Sequence, residues 1–217
     1  MTNPATNPMP DAGPLAFTAH ELRYLLSLED SAVAAANGVR LGLTPGATES
    51  DLIGAGAATL LVRGLAFIRD DRLTLTDETG VVGYVLTHAT TWTEIGLSGV
   101  GITDGALLLT ADGLTLLFTP RPLGAFDVLA VQPPKTAGDV VLPLAGSFLD
   151  ESDNRLAVVR SGSGSGERSA AVMRTDGARW RVAVDVPRPG GPELAESAYQ
   201  QQERDVALSA LTEVLNP

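Results

Sequence analysis

The chain has 217 residues, of which 44% are hydrophobic and 19% charged; this suits one large globular domain or two small packed ones and excludes a disordered polymer. A formal net charge of −11 repels a phosphate backbone and an anionic membrane surface at long range, so neither nucleic acid nor membrane is an expected partner. Cysteine is absent, which excludes disulfides, thiolate metal sites and a cysteine nucleophile.

Residues 1–14 are rich in Pro, Asn and Thr and read as a disordered tail without the pattern of a secretory signal. With no run of 18 apolar residues, the expected location is the cytoplasm. Structure starts at Phe17. Thr18 and Glu21 have the spacing of a capping box, and Phe17 and Leu22 that of a hydrophobic staple. Leu22, Leu25, Leu26 and Val33 extend a helical stripe that should fade before Asn37 and Gly38. Thr44-Pro45-Gly46 is a turn. A second helix starts at Thr48 or Ser50, with Glu49 and Asp51 at its positive end. Leu52, Ile53, Leu60 and Leu61 form its buried face, and Ala55, Ala57 and Ala58 allow a close neighbour. Arg63 complements the C-terminus, Gly64 supplies a left-handed stop, and Leu65 the apolar contact after it. Strands at 65–68 and 73–75 then flank Asp70 and Asp71. A third helix is expected at 77–88, with Val81, Val82, Val85 and Leu86 inward despite Gly80 and Gly83.

From Thr91 the period changes to two. Strands are expected at 91–95, 100–102, 107–110, 114–119 and 127–132, with Asp112-Gly113 as a hairpin turn. Pro120, Pro122, Pro133 and Pro134 bound the last two. Residues 138–144 read as a short strand or a helix lead. A meander follows at 156–160, 170–174 and 179–186, its first connection being the Ser/Gly run 161–166. That run matches no phosphate-binding fingerprint and reads as a flexible hairpin loop. After a break at 187–191, residues 192–215 read as one long helix with Leu194, Ala198, Leu208, Leu211 and Leu215 on one face. Tyr199, the three glutamines after it and Glu203 interrupt that stripe, either as a solvated turn or as a polar contact surface. No long-period repeat stands out, although both halves contain antiparallel strands with helices near an end, an α+β pattern. The organisation is a tail (1–14), a helical plus antiparallel-strand half (15–135) and a half with a strand meander and long final helix (136–217), forming one compact unit.

No catalytic, cofactor or metal site emerges. His20-Glu21 begins like a zinc-protease motif, but Tyr24 stands where the second imidazole is needed. His88 lies at a helix end, where a cation is favoured. Gly96-Leu97-Ser98-Gly99 lacks one residue of a nucleophile elbow and reads as a loop turn. The acidic run 150–154 lacks calcium-loop spacing and reads as a solvated loop. Trp92 and Trp180 lie on expected strands and read as core anchors. The block 48–76 has the order of a DNA-binding winged helix. Residues 1–90, however, hold five arginines against ten acidic residues, and the wing tip would present Asp70 and Asp71 to phosphate. An acidic regulator of winged-helix type and an enzyme whose carboxylates meet only in the fold remain alternatives to a binding module.

The order of elements across residues 52–131 resembles the EspG-type chaperones of actinobacterial type VII (ESX) secretion. The similarity lies in the Ala/Gly-rich helix ending Leu61-Val62-Arg63-Gly64-Leu65, the Asp-rich turn, the helix over Val81 to Leu86, and the strands at 114–118 and 128–131. The Trp180 strand and the closing 208–215 helix also fit. The resemblance covers about two-thirds of the chain, which is shorter than typical members. It implies an α+β fold, a central antiparallel sheet with flanking helices in two pseudo-symmetric halves, and a non-enzymatic cytosolic protein that binds helical secretion substrates and shields a hydrophobic helix tip until export. It assigns no individual site residue.

Overall fold

The computed structural model describes residues 14–43, 49–163, 166–188 and 198–215. The expected tail (apart from Pro14), the turn at Thr44 to Gly46 and the start of the long final helix lie outside them. Strand β1 (Leu15–Thr18) runs straight into helix α1 (Ala19–Leu26). Both halves of the Thr18 capping box are made: the Thr18 N–H donates to Glu21 Oε2 at 2.7 Å, and the Glu21 N–H to Thr18 Oγ1 at 3.2 Å. The single first helix expected from the stripe is in fact two. Ser31 starts α2 (Ala32–Arg40) with its own cap, its side chain accepting from the Ala34 N–H at 3.1 Å. This helix runs through Asn37 and Gly38 instead of ending there. Asn37 is fully buried, and its amide donates to the carbonyls of Leu86 and Ala89 at 3.0 and 3.1 Å. Those tertiary bonds override a weak helix propensity.

Helix α3 (Glu49–Val62) stops as its sequence requires. Gly64 has φ +70°, the Leu65 N–H bonds to the Leu60 carbonyl at 2.9 Å, and the Gly64 N–H to that of Leu61 at 3.0 Å. This is a Schellman motif. Two details differ from expectation. The close approach is made at Gly56, where an added Cβ would lie 2.0 Å from the His20 carbonyl oxygen; Ala55 and Ala58 are exposed. Arg63 reaches past its own helix end to buried Glu21 at 2.6 Å and to the Ala16 carbonyl at 2.7 Å. Strands β2 (Ala66–Arg69) and β3 (Arg72–Leu75) pair across Asp70 and Asp71, both left-handed at φ 50° and 59°. Helix α4 (Asp77–His88) follows.

Then come β4 (Thr91–Gly99), β5 (Ile102–Ala111), β6 (Leu114–Arg121) and β7 (Ala125–Val131). Helix α5 (Ala137–Glu151) leads to β8 (Arg155–Ser163), β9 (Gly166–Thr175), β10 (Arg179–Val184), β11 (Gln200–Gln202) and helix α6 (Arg204–Leu215). Among the described residues, nine strands form one antiparallel sheet in the order β1-β7-β6-β5-β4-β8-β9-β10-β11. The expected strand at 100–102 is mostly turn: Gly101 has φ +70° and joins the longer strands β4 and β5. Residues 96–99, expected as a loop, are the end of β4. Residues 138–144 belong to a 15-residue helix that starts with a Thr136–Asp139 capping box and tolerates Pro143 on an exposed position. Much of the Ser/Gly run is strand. Gly162 lies beneath the Trp92 indole, where an added Cβ would come within 2.5 Å of the ring. The long final helix is replaced by α6, and Gln200 to Gln202 pair with Val182 to Trp180 as an edge strand.

Four-stranded meanders β4–β7 and β8–β11 meet at β4–β8, with Ile95 opposite Val159 at the middle of each strand. Their helices sit on opposite faces. Trp92, Leu107, Leu109, Leu116, Phe118 and Val128 pack beneath the α1–α4 layer. Ile95, Leu108, Val159 and Val172 face the other way, onto α5 and α6. The alternation of side chains along a strand makes this possible, because neighbours such as Leu107 and Leu108 enter different cores.

Replacement of Gly56 by Ala forces α1 and α3 apart and is expected to cost about 1–3 kcal/mol. Replacement of Gly54, whose added Cβ meets nothing within 4 Å, should stabilise the same helix by roughly 1 kcal/mol. Urea unfolding of the two variants checks the opposite signs.

Candidate protein-binding surface

The diagonal placement of helices leaves part of each sheet face uncovered. Helices α5 and α6 lie on β4, β8, β9 and β10. On that same face, β6 and β7 carry no helix layer among the described residues. The registers Leu117↔Leu129 and Thr115↔Val131 place these four side chains on it, with Ala106 and Leu108 beside them from β5. Leu108 is buried, whereas Leu117 and Val131 are half-buried and Leu129 is 43% exposed. Helix α5 supplies a wall. Its Leu142 and Pro143 line a cleft of about 330 Å³ toward Thr212 and Leu215 of α6. Val140 and Leu144 lie on the opposite flank of the helix, toward the uncovered strands, and Leu144 is 43% exposed. The result is an aliphatic trough. Its rim holds the Thr110–Thr115 hydroxyl pair at 2.9 Å and the Arg121–Asp127 ion pair at 2.6 Å. A contiguous half-exposed apolar surface with a polar border is the mark of a protein contact rather than of chemistry.

The other uncovered quadrant is occupied by charge. Glu94 and Arg160 are register partners across the β4–β8 seam. Arg160 is nine-tenths buried and donates through Nη2 to the Pro187 carbonyl at 2.5 Å. Ser169 donates to the Val186 carbonyl at 3.1 Å, and Arg188 pairs with Glu167, so residues 186–188 cross this face as a strap. Arg40 reaches in from α2, its guanidinium 4.4 Å from the Trp92 ring centroid. Burial pushes the Glu94 carboxyl above its ordinary range, opposed by Arg160 and Arg40. Burial likewise lowers the Arg40 guanidinium.

The residues weighed from sequence are dispersed. His20 is exposed in the first turn of α1. His88 stacks on Tyr84 with centroids 4.3 Å apart and lies 3.6 Å from Glu29. Tyr84 in turn donates to Asp112 in the β5–β6 turn. Ser98 is a strand residue. The acidic run 150–154 is tied down rather than free: Asp150 pairs with Arg204 at 2.5 Å, Glu151 with Arg155 at 2.5 Å and Asp153 with Arg174 at 2.8 Å. Trp92 and Trp180 are both core residues, on opposite faces. Among the described residues, no group of three His, Asp or Glu side chains could hold a metal ion, and no helix is long and apolar enough to cross a membrane.

The architecture is an α+β fold, one antiparallel sheet with helix layers on diagonally opposite quadrants. It is shared with a solved structure, that of EspG5, the type VII secretion system chaperone of Mycobacterium tuberculosis, in complex with the PE25–PPE41 dimer. The TM-score is 0.59 at 9% sequence identity, covering 94% of this chain and 96% of that one. No protein-family model and no curated protein matches the sequence. The likeness is one of fold, and it bears out the element order read from residues 52–131.

Because the folded-state pKa of Glu94 is raised, its ionisation costs stability as pH rises from the ordinary carboxylate value through the elevated one. Glu94→Gln is therefore expected to be near neutral at pH 4 and to reduce the stability lost between pH 4 and pH 7. Chemical denaturation at both pH values measures it; an unchanged difference would show that Arg160 and Arg40 fully offset the burial.

Proposed function

We propose that this protein is a cytoplasmic, non-enzymatic chaperone of a type VII secretion system that holds a helical export substrate in the trough between α5 and the open face of β5–β7. The observation that carries this reading is the trough itself: Ala106, Leu117, Leu129 and Val131 form an apolar floor beside Val140 and Leu144. A folded monomer gains by covering such a surface, and the apolar face of an amphipathic client helix matches its aliphatic character. The shared fold with EspG5, solved with a bound PE25–PPE41 dimer, supports the same role. Residues 15–135 and 136–217 act as two halves of one unit, a reading supported by the continuous sheet that joins them at β4–β8.

Affinity capture with the purified protein from its native host, followed by mass spectrometry, should recover small helical secreted proteins. Leu129→Asp combined with Leu144→Glu should abolish that recovery. Both side chains are exposed, so the unfolding free energy should stay within about 0.5 kcal/mol of the parent. Equal recovery by the double variant would move the client elsewhere; no secreted client at all would remove the chaperone reading.

A further inference from the structure

We propose that Arg160 is a two-position latch: it holds the strap 186–188 against the sheet through the Pro187 carbonyl, and it releases the strap when its guanidinium turns to the carboxylate of Glu94. Glu94 and Arg160 stand directly opposite each other in the β4–β8 register, a placement in which an acid and a base ordinarily pair. They do not pair here. Arg160 donates through Nη2 to the Pro187 carbonyl at 2.5 Å, and its buried Nε has no acceptor. Among the described residues, half-buried Glu94 has no cation within ion-pair distance. The other two arginines near it are engaged elsewhere. Arg40 donates to Asn37 Oδ1 at 3.1 Å and lies over the Trp92 ring, and Arg188 pairs with Glu167.

One guanidinium thus has two partners within its reach. Pro187 offers it a single neutral oxygen. Ionised Glu94 offers two charged ones that match the guanidinium fork and supply the acceptor that Nε lacks. Burial pushes the Glu94 carboxyl above its ordinary range and so favours the neutral form. Neutral Glu94 has little hold on Arg160, and the strap stays closed. Once ionised, it is a half-buried charge whose natural partner stands one strand away. The Glu94 carboxyl is therefore more acidic with the strap open than closed, and rising pH favours opening. Of the remaining charges that face it, Arg40 and Arg188 favour its ionised form and Glu167 opposes it. The strap leaves β10 at Asp185, whose N–H bonds the Ser169 carbonyl at 2.9 Å, so opening swings 186–188 about a fixed root. Its other ties are a neutral bond from Ser169 to the Val186 carbonyl and the surface Arg188–Glu167 pair, each weak beside a buried guanidinium. The latch lies on the sheet face opposite the trough and does not rest on the chaperone reading.

The chain has no cysteine, so one introduced thiol in the full chain reports the strap. Val186→Cys places it on the strap at a half-buried position. Val100→Cys, at a position 89% exposed, calibrates the pH dependence of the thiol itself. With a pyridyl disulfide as probe, the ratio of the two labelling rates should rise severalfold from about pH 4 to about pH 7. Adding Glu94→Gln to the strap reporter should keep the ratio low at both pH values, because an amide gives Arg160 no charge to turn to. Arg160→Gln should keep it high at both; if that variant does not fold, the Glu94→Gln comparison decides. Arg188→Gln should raise the ratio throughout and preserve its pH response. A thiol at Val172, fully buried in the second core, should stay unlabelled at both pH values. A ratio that does not change with pH, or the same rise in the Glu94→Gln protein, overturns the latch. So does a rise that Arg188→Gln abolishes, which would assign it to the surface ion pair. Labelling of Val172→Cys in step with Val186→Cys also overturns it, as the opening would then be global unfolding.

Discussion

One sheet serves two hydrophobic cores lying on opposite faces, and everything else follows from that division. Strand β4 is where the change is made. Its Trp92 is buried under the α1–α4 layer, while its Ile95 is buried under α5. The strand is thus apolar on both faces over a short span, as β5 is at Leu107, Leu108 and Leu109. On either side of this pair, the buried hydrophobic clusters lie on one face only. The meander β4–β7 needs cover chiefly on one face and β8–β11 on the other, so the helices divide between the faces. A diagonal arrangement necessarily leaves two bare quadrants. One is crossed by the strap at 186–188 and filled with paired charge. The other is open and apolar among the described residues.

The first helical layer is held by a node that spans distant sequence. Glu21 caps its own helix through Thr18 and receives Arg63 from the end of α3 at 2.6 Å, while the same guanidinium bonds the Ala16 carbonyl in β1. Three elements are fixed by one carboxylate and one guanidinium, with charge-assisted hydrogen bonds on a fully buried acid. Close contact at Gly56 then sets the distance between α1 and α3. Covalently local signals and long-range contacts agree here, as they do in sequences with a single native basin.

Signals confined to a few residues were legible in the sequence. The Thr18 capping box, the Gly64 stop, the two-residue turn at Asp70 and Asp71, helix α4 and the Asp112-Gly113 hairpin all appear where expected. Errors came where tertiary contacts decide. Asn37 stays helical because α4 offers it two carbonyls. The Ser/Gly run stays extended because Gly162 lies under Trp92. Pro143 obscured α5, although an exposed proline in a packed amphipathic helix is tolerated when the rest of the helix is held. The polar residues after Tyr199 became an edge strand because Trp180 and Val182 give them a partner. The trough was not legible at all. Leu117 and Leu129 sit inside runs that are apolar toward both faces, Leu116-Leu117-Phe118 and Val128-Leu129-Ala130, and no pattern in such a run says which face a helix will leave bare.

The β4–β8 seam also carries a consequence for synthesis. The chain delivers β1 through β7, with all of α1–α4, before any of β8 exists. At that stage the first core can close, but β4 is an edge strand of nine residues whose hydrogen-bonding side is unpaired. Ile95 on its far face, and Leu108 on that of β5, still await α5. Long apolar edges of this kind recruit other chains. The emerging protein therefore passes through an interval of aggregation risk that ends only when α5 and β8 leave the ribosome together, and the short Ala137–Ser163 segment that supplies both acts as the nascent chain's own protective cover.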